Sequence, residues 1–147
     1  MTDRYAVEQV GVADGTSIPA KKLNGALVGA KLRSIRATKQ VLADQIGDRV
    51  YLGKLPIGAT VKEILIVTDT SLGSATIAIG TTASSGKYVA ARTYTAPLDA
   101  PTCIGPKASV WDDAPLTAEE DLWLTVAAAA IGGSAIVGIE IRYTVSA

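Results

Sequence analysis

The chain has 147 residues, with 14 Lys and Arg against 14 Asp and Glu, one Cys, no His and no Phe. That length fits one domain with a sizeable core; the missing histidines exclude Ser–His or Cys–His nucleophilic catalysis and any Cys/His zinc site, and the single Cys103 excludes an internal disulfide framework. Charge is uneven: residues 1–54 hold nine basic and five acidic side chains (+4), and residues 55–147 hold five and nine (−4).

The first residues, Met1-Thr-Asp-Arg-Tyr-Ala-Val-Glu8, lack the apolar stretch of a secretory signal, so synthesis and folding in a cytosol are expected. The longest apolar run, 126–139, is mostly Ala and Gly and is shorter than the ~20 residues that cross a bilayer, so no membrane span is expected. The basic excess is too dilute, and too poor in interleaved aromatics, for a nucleic-acid surface. Docking of a basic segment on an acidic neighbouring surface is the better use of the asymmetry.

Residues 1–31 show no sustained periodicity and are punctuated by Gly11, Gly15, Pro19, Gly25 and Gly29, which predicts an extended N-terminal arm. Val7, Val10, Val12, Ile18, Leu23, Leu27 and Val28 supply apolar groups that favour burial on the chain's own sheet or on a neighbour. Lys21, Lys22, Leu23, Leu27, Lys31, Arg33 and Arg36 are the candidate contact residues; a solvated basic stretch is the plain alternative. The second unit, residues 32–147, opens with Leu32–Leu42, which reads either as a strand or as a short helix. Val50 to Leu55 reads as a strand ended by Pro56.

Two strand-like runs, Val61 to Thr68 and Ser74 to Gly80, flank a polar turn containing Gly73. Ile64 and Ile66 share one face and Leu65 and Val67 the other, so this strand is expected to be buried on both sides or to lie between the core and a subunit contact. Tyr88 to Thr95 alternates as a further strand. Residues 96–109, with Pro97, Pro101, Gly105 and Pro106, are expected to form a long loop. Cys103 is expected to be a buried or half-buried small hydrophobe, and Val110-Trp111 at most a short strand.

Thr117-Ala-Glu-Glu120 matches a capping box at the start of one helical turn. Leu122, Leu124 and Val126 then alternate as a strand. The last strand is the clearest, with Val137, Ile139, Ile141, Tyr143 and Val145 on one face. Seven or eight strands at spacings near ten residues predict an all-β fold, a single jelly-roll or β-sandwich domain.

The acidic group Asp112, Asp113, Glu119, Glu120 and Asp121 lacks the spacing of a calcium loop and reads as solvated. Gly132-Gly133 has no following Lys-Ser/Thr, so it is not a phosphate cradle. Tyr88, Tyr94, Trp111 and Trp123 are the aromatic side chains on which a carbohydrate-binding module would have to rely; packing is their plain alternative. No catalytic, cofactor or metal site is expected.

Leu55-Pro-Ile-Gly-Ala-Thr-Val61, the turn Thr68-Asp-Thr70, Gly73-Ser-Ala-Thr-Ile-Ala-Ile-Gly-Thr81, Lys87-Tyr-Val-Ala-Ala91 and Leu116-Thr-Ala-Glu-Glu-Asp-Leu-Trp-Leu-Thr-Val126 resemble small jelly-roll decoration (cement) and head-fibre-base proteins of tailed bacteriophages. The resemblance covers roughly residues 50–147. It implies a virion protein without an active site, made in the host cytoplasm, that binds the major capsid protein on the head exterior, often as a homotrimer, and clamps adjacent capsomers. A tail or baseplate subunit is the neighbouring alternative.

Overall fold

Eight β-strands form among the described residues, several of them drawn from runs rich in β-branched residues. They are β1 (Arg33–Thr38), β2 (Arg49–Leu55), β3 (Ala59–Thr68), β4 (Thr76–Gly80), β5 (Val89–Thr93), β6 (Leu98–Gly105), β7 (Glu120–Ala127) and β8 (Val137–Val145). The computed structural model describes residues 30–146. The arm expected over 1–31 therefore lies outside the described residues except for its last two positions, and Lys21, Lys22, Leu23 and Leu27 lie outside them too.

Two four-stranded antiparallel sheets form, in the orders β1-β8-β3-β6 and β2-β7-β4-β5. The ladders are nested: β1 pairs with β8, β2 with β7, β3 with β6 and β4 with β5. The chain is thus one long antiparallel ribbon wrapped on itself, with β3–β8 and β4–β7 closing the wrap. This is the topology of a jelly roll. It sends the β1–β2, β3–β4, β5–β6 and β7–β8 loops to one end, called here the loop end. The start of β1, where the expected arm joins, and the remaining three connections lie at the other, called here the arm end.

Inward residues alternate most clearly along β7 and β8, and the core joins Ile64 and Ile66 of β3, Ile77 and Ile79 of β4, Leu122, Leu124 and Val126 of β7, and Val137, Ile139 and Ile141 of β8. Two-sided burial of β3 also holds: Leu65, on the outer face, is buried and Val67 half-buried. Gly53 marks the bulge in β2, with φ +147°, and a Cβ there would meet Ile35 Cγ2 of β1 at 2.8 Å, so glycine lets the two edge strands approach.

Several expectations need correction. The stretch 96–109 is not a long loop, because it contains β6. Residues Asp99 to Cys103 are all exposed, so no alternation marks the strand, and Pro101 is tolerated at the sheet's edge. Cys103 is exposed rather than buried, since it points from β6 to the outer face. The capping box caps nothing: Glu120 opens β7, with its carboxylate held across the sheet by Lys87 and Tyr88. Val110 ends a 3-10 turn, Ala108–Val110, in place of a short strand. The ambiguous run from Leu32 is a strand that stops at Thr38.

Candidate interaction surfaces

At the loop end, residues 39–48 of the β1–β2 connection present Val41 at 81% exposure, with Leu42 and Ile46 also exposed. Exposed aliphatic side chains in one short loop mark a contact surface when the loop is held rigid. Here it is held. Lys39, its side chain only 4% exposed, donates from Nζ to the carbonyls of Gln40, at 2.9 Å, and Leu42, and faces Asp44 Oδ2 at 3.5 Å. Asp44 and Ile131 exchange backbone hydrogen bonds, tying this loop to the β7–β8 loop. Ile136, also exposed, is fixed by its N–H donating to Asp69 Oδ1 at 2.8 Å.

Beside this end, a groove of about 320 Å³ runs over the outer face of the first sheet between Arg36, Thr38, Leu65, Val67, Ile136 and Gly138. Gly138 forms part of its floor, and a Cβ there would lie 4.0 Å from Val67. Gly138→Ala is therefore expected to be accommodated and to raise unfolding free energy by about 0.4–1 kcal/mol, read as a higher urea midpoint. Below the groove the face turns polar, where Arg142 bridges Glu63 at 2.9 Å and Glu140 at 3.1 Å.

The outer face of the second sheet carries a different cluster. The Arg49 guanidinium lies 4.6 Å from the Trp123 ring centre, and Tyr51 meets the same indole edge-on at 5.0 Å. The Tyr51 hydroxyl donates to Asp121 at 3.0 Å, which raises its pKa above the usual tyrosine value. Lys54 pairs with Glu119 at 3.2 Å and Asp121 at 4.0 Å. These exposed pairs are satisfied locally and contribute little to stability.

The four aromatic side chains singled out in the sequence are treated unequally. Tyr88 is buried and donates to Glu120 Oε2 at 2.6 Å, Tyr94 is buried, and Trp123 is half-buried with a face covered by Arg49. Only Trp111 offers an open ring, at 61% exposure. Burial first, and then the hydrogen bond to Glu120, push the Tyr88 hydroxyl far above its ordinary value of 10.0. The unfolded chain releases that proton first, so this contribution to stability is complete below pH 10 and declines above it. The expected result is an alkaline loss of stability that is shallower in Tyr88→Phe, measured as urea midpoint against pH.

Of the candidate contact residues inside the described part, Lys31, Arg33 and Arg36 are all exposed. The strand period places Arg33 on the face of Ile35 and Arg36 on the opposite one, so the two do not form one basic patch. Arg36 borders the groove. Sequence reading missed the rigid apolar loop; its signal was Val41-Leu42 followed, after Ala43, by Asp44 and a break in alternation. Among the described residues, no group of three or more His, Cys, Asp or Glu side chains is placed to hold a metal ion.

No protein-family model matches the sequence, and no curated protein matches it either. The solved structures do match. The chain superposes on a chain from the capsid of Ralstonia phage GP4 with a TM-score of 0.60 at 17% identity, covering 80% of this chain and 86% of that one. The fold is shared with phage capsid chains. A chain from the cyanophage Pam1 capsid gives a TM-score of 0.55 at 18% identity, over 91% of this chain and 99% of that one. One from the capsid of Helicobacter pylori bacteriophage KHP30 gives 0.56 at 12% identity, over 79% and 89%. At these identities the likeness establishes the jelly-roll fold.

Proposed function

We propose that this chain is a structural virion protein that binds the outer surface of a phage head and stabilises it by clamping adjacent capsomers, as a homotrimer and without catalysis. The observation that carries this reading is the near whole-chain correspondence with phage capsid chains, 86% and 99% of the first two. The surfaces support it. A stapled apolar loop at one end and exposed Leu32, Ile57 and Trp111 at the other give one rigid body two separated apolar contact regions, which is what bridging requires. Repetition over many copies makes modest contacts collectively strong. The N-terminal arm, residues 1–31, docks on neighbouring subunits, with the major capsid protein as the principal partner, and Lys21, Lys22, Leu23, Leu27, Lys31, Arg33 and Arg36, in the arm and its exit, are the capsid or subunit contact residues.

Incubation with phage heads that lack the protein, followed by image reconstruction, tests the proposal. Density for the sandwich on the head exterior at symmetry-related sites is the expected result. Density on the tail or baseplate, or none, overturns it. A variant lacking residues 2–30 is expected to lose tight head binding, and equal decoration by that variant removes the arm from the mechanism.

A further inference from the structure

At the arm end, a trough of about 590 Å³ crosses the outer face of the first sheet. Leu32 lies at its β1 side, Lys62, Glu63 and Cys103 form its middle, and Pro106, Trp111 and, from β5 of the second sheet, Arg92 lie at its β6 side. Two of its large apolar side chains stand open: Leu32 at 53% and Trp111 at 61% exposure. Among the described residues, Trp111 has no ring or cation against its indole. Such a surface costs solvation free energy unless something covers it.

The 29 N-terminal residues outside the description end at Gly29, three positions before Leu32. Leu32 itself lines the trough, so the chain arrives already lying in it. The distance to be crossed is three strand spacings, about 14 Å from β1 to β6. Five extended residues, Leu32 back to Leu27, span roughly 17 Å. That length brings the adjacent aliphatic pair Leu27-Val28 to the Trp111 side and no further.

We propose that Leu27 and Val28 seat in this trough of their own chain, against Pro106 and Trp111, so that the arm is fixed at its base and contact with neighbouring subunits falls to the residues upstream of Leu27. Residues upstream, Lys21 and Lys22 among them, then leave from the β6 edge of the sheet. The seat belongs to the free protein, and its test uses no particle, so its failure and a failure of head binding are separate observations.

Cys103 is the chain's single thiol, is exposed among the described residues, and lies in the middle of the trough. It therefore reports occupancy directly. In the full chain, Ellman's reagent should modify Cys103 about tenfold more slowly than in the Leu27→Asp/Val28→Asp variant, whose changes lie outside the core. Trp111→Ala, which removes a wall of the seat at an exposed position, should raise the rate in the same direction. The wild-type rate should not change on dilution. Equal rates in wild type and both variants overturn the proposal. So does protection that disappears on dilution, because the occupant is then a second copy's arm.

Discussion

Ile66→Ala is expected to lower unfolding free energy by about 4 kcal/mol, whereas Val67→Ala, one residue along, is expected to cost less than about 1.5 kcal/mol. Both belong to one apolar run and one strand. Ile66 is fully buried between the sheets on β3, which pairs on both sides, with β8 and β6. Deleting most of its side chain leaves a cavity that two laddered neighbours hold open. Val67 is only half-buried, on the groove face, where solvent already reaches one side. Urea titration of the two variants gives the comparison, with the midpoint moving and the slope constant. Similar losses at both positions would mean that the outer face of the first sheet is as tightly packed as the core.

The second large effect is expected at Lys39. Lys39→Met removes the ammonium that satisfies two loop carbonyls and faces Asp44. Asp44 is left with a buried carboxylate oxygen that already takes no hydrogen bond. Breaking a buried pair from one side costs about 3–5 kcal/mol, and the 17% exposure of the Asp44 side chain discounts this to about 2–3 kcal/mol. The double variant Lys39→Met/Asp44→Leu is expected to recover much of the loss, because no uncompensated charge remains. Head binding separates stability from function. If the rigid loop is a contact, the double variant folds well yet binds heads more weakly, since Val41, Leu42 and Ile46 are no longer presented in one geometry.

What could be read in advance follows from which residues carry a periodic signal. Strands with one buried face announced themselves: Val137 to Val145 and Leu122 to Val126 alternate because one side meets the opposite sheet. β6 carries no such signal, since its central residues Asp99 to Cys103 are exposed whichever face they take and are under no pressure to alternate, and its proline reads locally as a loop. Glu120 misled for a related reason. A Thr-x-x-Glu spacing is a local pattern, but the partners that claimed the carboxylate, Lys87 and Tyr88, lie 33 and 32 positions away in sequence. The loop-end surface was equally illegible, because whether Val41 and Leu42 are packed or exposed depends on Lys39 being buried beneath them. Cys103 shows the limit of residue-type preference, as a small apolar side chain takes whichever face its strand register dictates.

The nested ladders set an order of events during synthesis. Neither β1 nor β3 completes its pairing until β8 is present, because β8 runs between them as the neighbour of both. Before residues 137–145 leave the ribosome, the first sheet has its two halves, β1 and the β3–β6 pair, with nothing joining them. Such long-range closure places the chain among slowly folding proteins, on the millisecond-to-second scale. The nascent chain therefore holds exposed edges on β1 and β3 until residues 137–145 emerge, and a copy released without β8 would offer them to other chains.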